Sequence, residues 1–149
     1  MTLQELIQIL SGFVGSLCFG ILFNMRGKRL IAASFGGLLS WGLFVMISYF
    51  IPSEPINYFL VAAVISLYSE ILARIIKTPA APIVTTSLIP LIPGGSLYYT
   101  MASAFDSDFS VFLEKATYTL KLASALALGI IVVTAVFHLY STMQNKRNV

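Results

Sequence analysis

Five long apolar runs, separated by short polar islands, are the feature that most limits what this chain can fold into. The runs cover residues 3–23, 30–51, 56–76, 79–105 and 116–140. Each is about as long as the 20 or so residues that a helix needs to cross a bilayer core of about 30 Å. We therefore predict an all-α integral membrane protein with about five transmembrane helices, folded as one transmembrane domain over residues 1–149.

Charged side chains are too few to cover a soluble protein of this size. They make up 10% of the chain, whereas a soluble domain carries about 25%. The lysines and arginines lie mainly in three islands, at residues 26–29, 74–77 and 146–147. Basic loops of this kind orient membrane helices. They explain the net charge of +3 better than a nucleic-acid partner does, and we expect no nucleic-acid binding.

The order of these islands predicts the orientation of the chain in the bilayer. The regions around Glu5, around Glu54 and at residues 106–114 are acidic or balanced, and they alternate with the basic islands at every crossing. Lysine and arginine mark cytoplasmic loops. We therefore expect the N-terminus outside and the C-terminus in the cytoplasm, with no cleaved signal peptide, because the N-terminus is acidic and lacks a small-residue cleavage site.

The fourth run is apolar but full of helix breakers, which are Pro79, Pro82, Pro90, Pro93, Gly94 and Gly95. Hydrocarbon tolerates the backbone groups that such residues leave unpaired only where protein or a water-filled cavity surrounds them. Counted from Pro79, the break at residues 90–95 lies about 15–25 Å along a helix, near the middle of the bilayer core. Transporters place binding sites at such breaks, so we predict a discontinuous fourth helix that lines a substrate site.

Polar groups beside this break are the predicted substrate contacts. We expect the glycine pair to adopt positive backbone angles, and Ser96 to cap a half-helix whose positive end attracts a carboxylate. Three hydroxyls precede the break. The predicted contacts are Thr85, Thr86, Ser87, Pro90, Pro93, Gly94, Gly95 and Ser96. The alternative is a kinked helix whose hydroxyls bond their own i−4 carbonyls.

Charges within the apolar runs are candidates for a proton or charge relay, and they are Glu70, Arg74 and Lys121. Glu70 and Arg74 lie one turn apart on one helix face, which favours an ion pair. As an alternative, Glu70 carries protons, since it is the acidic group that lies well inside an apolar run. Lys121 either snorkels to the outer interface or neutralises an anionic substrate.

Small residues recur at four-residue spacing in three runs, as Gly12, Ser16 and Gly20; Ala32, Gly36 and Ser40; and Ala123 and Ala127 beside Ala125 and Gly129. Such faces let helix backbones approach closely. We expect them to pack within the subunit or against a partner.

Residues for catalysis are scarce in this sequence. The chain has one histidine and one cysteine, and it shows no paired carboxylates that face each other. The usual metal sites and nucleophilic catalytic sites need several ligating or catalytic side chains, which this sequence does not supply. A phosphate-binding glycine loop with a lysine is also absent from the sequence. We therefore expect no enzyme, no ATPase, no metal and no cofactor.

Residues 77–82, read with residues 89–94 and 98–101, resemble the core of ThrE-type threonine/serine exporters. The opening at residues 19–24, followed by a basic loop, is similar as well. The whole chain looks most like the small split subunit of that family, which is YjjB-like. The resemblance implies export of threonine and serine, or of a dicarboxylate such as succinate, across the bacterial inner membrane on an ion gradient. It also implies a larger, YjjP-like membrane subunit as partner.

The sequence thus predicts a membrane subunit of a secondary transporter, embedded in the lipid bilayer and acting on a small-molecule substrate. Two alternatives stay open: a non-transporting scaffold or assembly subunit, and a channel formed by a higher oligomer of this chain.

Overall fold

The computed structural model describes residues 2–105 and 109–147, with side chains as far as Tyr140 and at Met143. These residues are almost entirely helical, and no strand occurs among them, so the predicted all-α fold is confirmed. The elements in chain order are α1 (Leu3–Leu22), α2 (Lys28–Ser48), α3 (Glu54–Ile76), α4 (Ala80–Ser87), a 3₁₀ turn (Ile89–Leu91), α5 (Gly94–Ser103) and α6 (Phe109–Arg147).

Four of these helices are long and apolar enough to cross a membrane, namely α1, α2, α3 and the stretch Phe109–Tyr140 of α6. A fifth candidate is the pair formed by α4 and the stretch Ile89–Ser103, which is bent by 43°. The prediction of about five membrane helices, with the fourth discontinuous, is confirmed. The chain is a multi-pass membrane protein.

Local sequence explains where the first helices begin and end. Thr2 and Glu5 form a capping box at the start of α1, in which each side chain accepts a hydrogen bond from the other residue's backbone N–H. Gly27, with φ of 59°, precedes α2. Lys77 ends α3 in the left-handed conformation, and Pro79 follows it.

The last helix begins earlier than the last apolar run does. Residues 106–114 are predicted as a polar loop, but α6 already starts at Phe109. Glu114 and Lys115 are therefore helical, and that part of the prediction is wrong. In the same part of the helix, the Thr117 hydroxyl donates to the Leu113 carbonyl at 2.7 Å, so a polar side chain there is satisfied within α6. Asp106 and Asp108 lie outside the described residues.

Small residues hold the first two helices together. Gly12, Ser16 and Gly20 on α1 are buried, and so are Ala32, Gly36 and Ser40 on α2. Gly36 faces Ser87 of α4 and Tyr68 of α3, whereas its neighbour Gly37 faces α1. A Cβ atom added at Gly37 would lie 1.9 Å from the Ser16 hydroxyl oxygen, so these backbones approach as closely as glycine permits. The predicted packing faces of the first two runs are confirmed as contacts within the chain.

The third small-residue face is used only in part. Ala123 and Ala127 are exposed, whereas Gly129 is buried against α3. A Cβ atom added at Gly129 would lie 2.6 Å from the Phe59 carbonyl oxygen and 2.8 Å from the Ala62 Cβ. Gly129 therefore sets the distance between α6 and α3.

Polar contacts join α1 to α2 at the end where α2 finishes. The Tyr49 phenol donates a 2.5 Å hydrogen bond to the Glu5 carboxylate, and this bond raises the pKa of Tyr49. The Trp41 indole N–H donates to the Gln8 side chain at 3.3 Å.

Two buried clusters place α4 between its neighbours. One joins Val61 and Ile65 of α3 to Leu91 and Leu122, and the other surrounds Ile83 with residues of α2 and α3. The short helix α4 thus packs into the bundle, although it is only 8 residues long.

We expect Gly129→Ala to destabilise the protein by about 1–3 kcal/mol, because a methyl group would collide with the α3 backbone. Gly15→Ala is the matched control, since a Cβ there would meet nothing within 4 Å. Thermal unfolding in detergent measures both variants. Equal unfolding temperatures for the two would contradict the close α3–α6 contact.

Candidate functional site

The break in the fourth span is built by two prolines without a backbone N–H. Leu91 and Ile92 donate to carbonyls three residues back, at 2.9 and 3.2 Å, which tightens the chain into a 3₁₀ turn. Pro93 then precedes α5, and Leu97 donates to its carbonyl at 3.0 Å. The helical ladder therefore stops after α4 and restarts at Gly94.

Two details predicted for the start of the second half-helix, α5, are wrong. Gly27 is the one glycine with positive φ in the described chain, so Gly94 and Gly95 do not have positive angles. Ser96 does not cap α5, because the helix starts two residues earlier and its N-cap is Pro93, without a side-chain hydrogen bond. The φ of Pro93, −73°, already suits the start of a helix, and both glycines take up its first turn.

The three hydroxyls before the break point in different directions. Thr86 and Ser87 are buried, and they donate to the Met25 sulfur at 3.5 Å and to the Ala33 carbonyl at 3.3 Å. Both therefore fasten α4 to its neighbours. Thr85 is exposed, and its hydroxyl donates to the Ala81 carbonyl at 2.9 Å, which is the i−4 bond of the kinked-helix alternative.

Thr85 lines a cavity of about 330 Å³, which we call the α4 cavity. Its walls are largely apolar, and its polar side chains come from α3, α4 and α6. The lining residues are Glu70, Ala80, Ala81, Val84, Thr85, Leu88, Ile92, Leu126, Ile130 and Thr134. One carboxyl group and two hydroxyl groups thus share a mainly apolar space beside the first half of the broken span.

Glu70 is half-buried and lies about 9 Å from the end of α3, counted along the helix axis. Arg74, one turn further on, places its guanidinium 4.8 Å from the centre of the Phe137 ring on α6, a cation–π contact. Among the described residues no ion pair joins Arg74 to Glu70, so the ion-pair interpretation is not supported. The carboxyl group of Glu70 lines the α4 cavity instead.

A larger cavity of about 820 Å³ lies beside the second half of the broken span, and we call it the α5–α6 cavity. Its lining is rich in hydroxyl groups and charges. The residues are Ser96, Tyr99, Ser110, Leu113, Glu114, Lys115, Thr117, Tyr118, Thr119 and Lys121. The structure thus brings Ser96 and Lys121 together, as it brings Thr85 and Glu70 together in the α4 cavity.

Hydrogen bonds hold the two helices of this cavity in register. Thr100 and Thr119 are buried and share a 2.9 Å bond between α5 and α6. Tyr118 donates to the Glu54 carboxylate and so ties α6 to the start of α3. These bonds fix the width of the α5–α6 cavity.

The remaining predicted contacts lie outside both cavities. Pro90 faces α1, where its Cγ lies 3.5 Å from the place of a Cβ at Gly12. Pro93 is half-buried, and the two glycines after it are exposed. These four residues shape the break and leave space around the first turn of α5.

Glu114 and Tyr99 line the α5–α6 cavity but are not among the contacts that the sequence predicts. Glu114 lies in a polar stretch that is typical of a loop, and Tyr99 lies in an apolar run. One signal points to the first of them: Ser110, Glu114, Thr117, Lys121 and Ser124 recur at the spacing of one helix face.

Comparison with known protein families gives a match over most of the chain. A family model described as "Threonine/Serine exporter, ThrE" matches residues 8–136. That range includes both cavities and the break between them. Searches of curated proteins and of solved structures give no significant match.

Proposed function

This chain belongs to the threonine/serine exporter family ThrE, and we propose that it is one subunit of a secondary transporter that moves threonine, serine or a small dicarboxylate such as succinate out of the cell. That it is an exporter-type membrane transporter follows from the family itself. The substrate, the coupling and the partner are the proposed part.

The observation that carries the proposal is a broken membrane span with a cavity beside each half, each of which has polar side chains in its lining. Transporters use such breaks to expose backbone groups and polar side chains to substrate near the middle of the bilayer. Thr85 lies in the cavity of the first half and Ser96 in that of the second. In the proposal, substrate passes from one to the other, and Pro90 and Pro93 form the hinge between them. The Gly94 N–H already donates to the Ile92 carbonyl at 2.6 Å, so the first-turn amide of Gly95 is the one that attracts the substrate carboxylate.

The buried hydroxyls have a supporting role in this scheme. Thr86 and Ser87 hold α4 against the α1–α2 connection, through Met25, and against α2 while the hinge moves. Of the three, Thr85 is the one that we propose as a substrate contact, because its side chain lines the α4 cavity.

Coupling to an ion gradient is assigned to Glu70. A carboxyl group in a mainly apolar cavity within a membrane helix is rare and is typical of proton relays. Arg74 positions α6 through Phe137, and Lys121 supplies a positive charge to the α5–α6 cavity. A proton on Glu70 would neutralise the α4 cavity as the transporter changes its open side.

Orientation and partner complete the proposal. We place the N-terminus outside the inner membrane, so that the α4 cavity opens toward the cytoplasm and the α5–α6 cavity toward the outside. A larger YjjP-like subunit is expected to cover part of α6, because 11% of its apolar window is buried in the chain, against 22–33% in the other three spans.

Efflux of labelled threonine, serine and succinate tests this function directly. Cells expressing the chain, its larger partner, or both are loaded with each substrate. We expect efflux of at least one substrate in cells with both subunits, and its loss when an uncoupler collapses the proton gradient. The absence of efflux in every combination would contradict the proposal.

A further inference from the structure

A group of exposed basic side chains lies at the end of the bundle where α1 and α3 finish and α2 begins. Its members, which we call the basic patch, are Arg26, Lys28, Arg29 and Lys77. Met25 belongs to the same hydrophobic cluster as Ala73 and Ile76, so the connection between α1 and α2 lies beside the end of α3. Two separate parts of the chain therefore contribute to the patch.

Carboxylates are placed away from the basic patch. The sequence has no aspartate or glutamate in residues 6–53 or 71–105, and Glu70 lines the α4 cavity inside the bundle. Glu5 and Glu54 lie in the first turns of α1 and α3, at the opposite end. The basic groups of the patch make no ion pair with any residue that the structure describes. The chain itself thus leaves the positive charge of the patch unbalanced.

The two charges at the start of α2 do not stabilise that helix. Lys28 and Arg29 occupy its first turn, where the positive end of the helix dipole disfavours cations. Gly27, the N-cap, has no side chain that could offset this effect. The position of these charges is therefore better explained by a negative group outside the chain.

Exposed apolar side chains continue from the patch along the membrane helices. Following Lys28 on one face of α2 are the exposed side chains of Ile31, Phe35 and Leu39. Near the end of α3, Ile75 is 70% exposed. A soluble anion would leave this apolar surface uncovered, whereas a phospholipid places acyl chains directly beside its charged head group. Clusters of lysine and arginine at the end of a membrane helix are typical of sites for anionic lipids.

We propose that the basic patch binds the head group of an anionic phospholipid, whose acyl chains lie along the exposed face of α2. The basic groups donate charge-assisted hydrogen bonds to the phosphate oxygens. Met25, in the connection that carries the patch, accepts the hydrogen bond of Thr86, so the bound lipid also stabilises the contact between this connection and α4. The site goes beyond the exporter function and does not depend on it.

Lipid titration onto the purified full-length chain in neutral detergent tests the site. Phosphatidylglycerol and phosphatidylcholine with the same acyl chains are compared, and native mass spectrometry measures the bound lipid. We expect phosphatidylglycerol to bind more tightly, by about tenfold or more, and to raise the unfolding temperature further. Equal binding of the two lipids would overturn the proposal.

Removal of charge from the patch should weaken this preference. In Lys28→Gln/Arg29→Gln, we expect the affinity for phosphatidylglycerol to fall about fivefold for each charge lost. Without lipid, the unfolding temperature of this variant should not fall, because the helix dipole no longer opposes the two cations. Lys77→Asn should also lose about fivefold, and asparagine tolerates the left-handed backbone at this position.

A matched variant removes two charges from the other end of the molecule. Lys115→Gln/Lys121→Gln should bind phosphatidylglycerol as the wild type does. An equal loss in this variant would reveal a general effect of net charge, and an unchanged lipid preference in Lys28→Gln/Arg29→Gln would show that the patch holds no lipid. If that second variant kept its lipid preference but no longer co-purified with a larger subunit, the patch would be a protein contact. Each of these three results would overturn the proposal.

Discussion

Replacing Glu70 with glutamine is expected to reduce gradient-driven efflux of threonine to background while the protein stays folded in the membrane. Glutamine keeps the size and the hydrogen-bonding capacity of the side chain but cannot take up or release a proton. If the carboxyl group in the α4 cavity is the coupling site, exchange of labelled for unlabelled threonine should persist, because exchange needs no net proton movement. Efflux and exchange in proteoliposomes, with and without an imposed pH gradient, measure the two rates.

The controls for this variant come from the same cavity. Thr85→Val and Thr134→Val remove hydroxyls from its walls without removing a titratable group, so they should retain a response to the pH gradient. Glu70→Asp keeps a carboxylate and should keep part of the coupling. Gradient-driven efflux by Glu70→Gln at the wild-type rate would show that Glu70 is a polar lining residue and that the coupling ion binds elsewhere.

Hydropathy predicts the membrane helices of this chain because bilayer thickness alone dictates their length. The break in the fourth span was equally predictable, since Pro90 and Pro93 cannot donate to a helical ladder wherever they lie. The backbone geometry after the break, at the start of α5, could not be predicted. Whether Ser96 caps a helix depends on which residue starts it. The N-cap of α5 is Pro93, three residues before Ser96, so the glycine pair already lies within the helix.

The direction of each hydroxyl also depends on contacts that a linear pattern does not contain. Thr85 and Thr86 are neighbours in sequence but lie about 100° apart around α4, at about 3.6 residues per turn. Burial of Ile83 and Val84 between α2, α3 and the core turns Thr86 inward and Thr85 toward the cavity. Glu114 was missed for a related reason, because polar composition favours a loop where α6 is in fact already helical.

Close packing between α2 and α4 holds in place the helix that lines the α4 cavity. A Cβ atom added at Gly36 would lie 2.0 Å from the Ser87 hydroxyl oxygen and 2.6 Å from the Ser87 Cβ. Ser87 has a short side chain, and its helix α4 is packed between neighbouring helices. Ser87 therefore cannot move away from a methyl group at residue 36. We expect Gly36→Ala to destabilise the protein by about 1–3 kcal/mol and to abolish efflux, because α4 carries Thr85 and leads into the break.

A compensating change separates this collision from any other effect of the alanine. Removing the whole Ser87 side chain, in Gly36→Ala/Ser87→Gly, clears both short contacts and leaves the Tyr68 ring at 3.2 Å. The double variant should recover part of the lost unfolding temperature and of the efflux, although it loses the bond to Ala33.

Gly36→Ala/Ser87→Ala keeps the Cβ at 2.6 Å and should not recover. Gly42→Ala, on the same helix with nothing within 4 Å, should behave as wild type. Equal recovery by the two double variants would contradict the packing argument, because only the glycine opens the space that a methyl group at residue 36 requires.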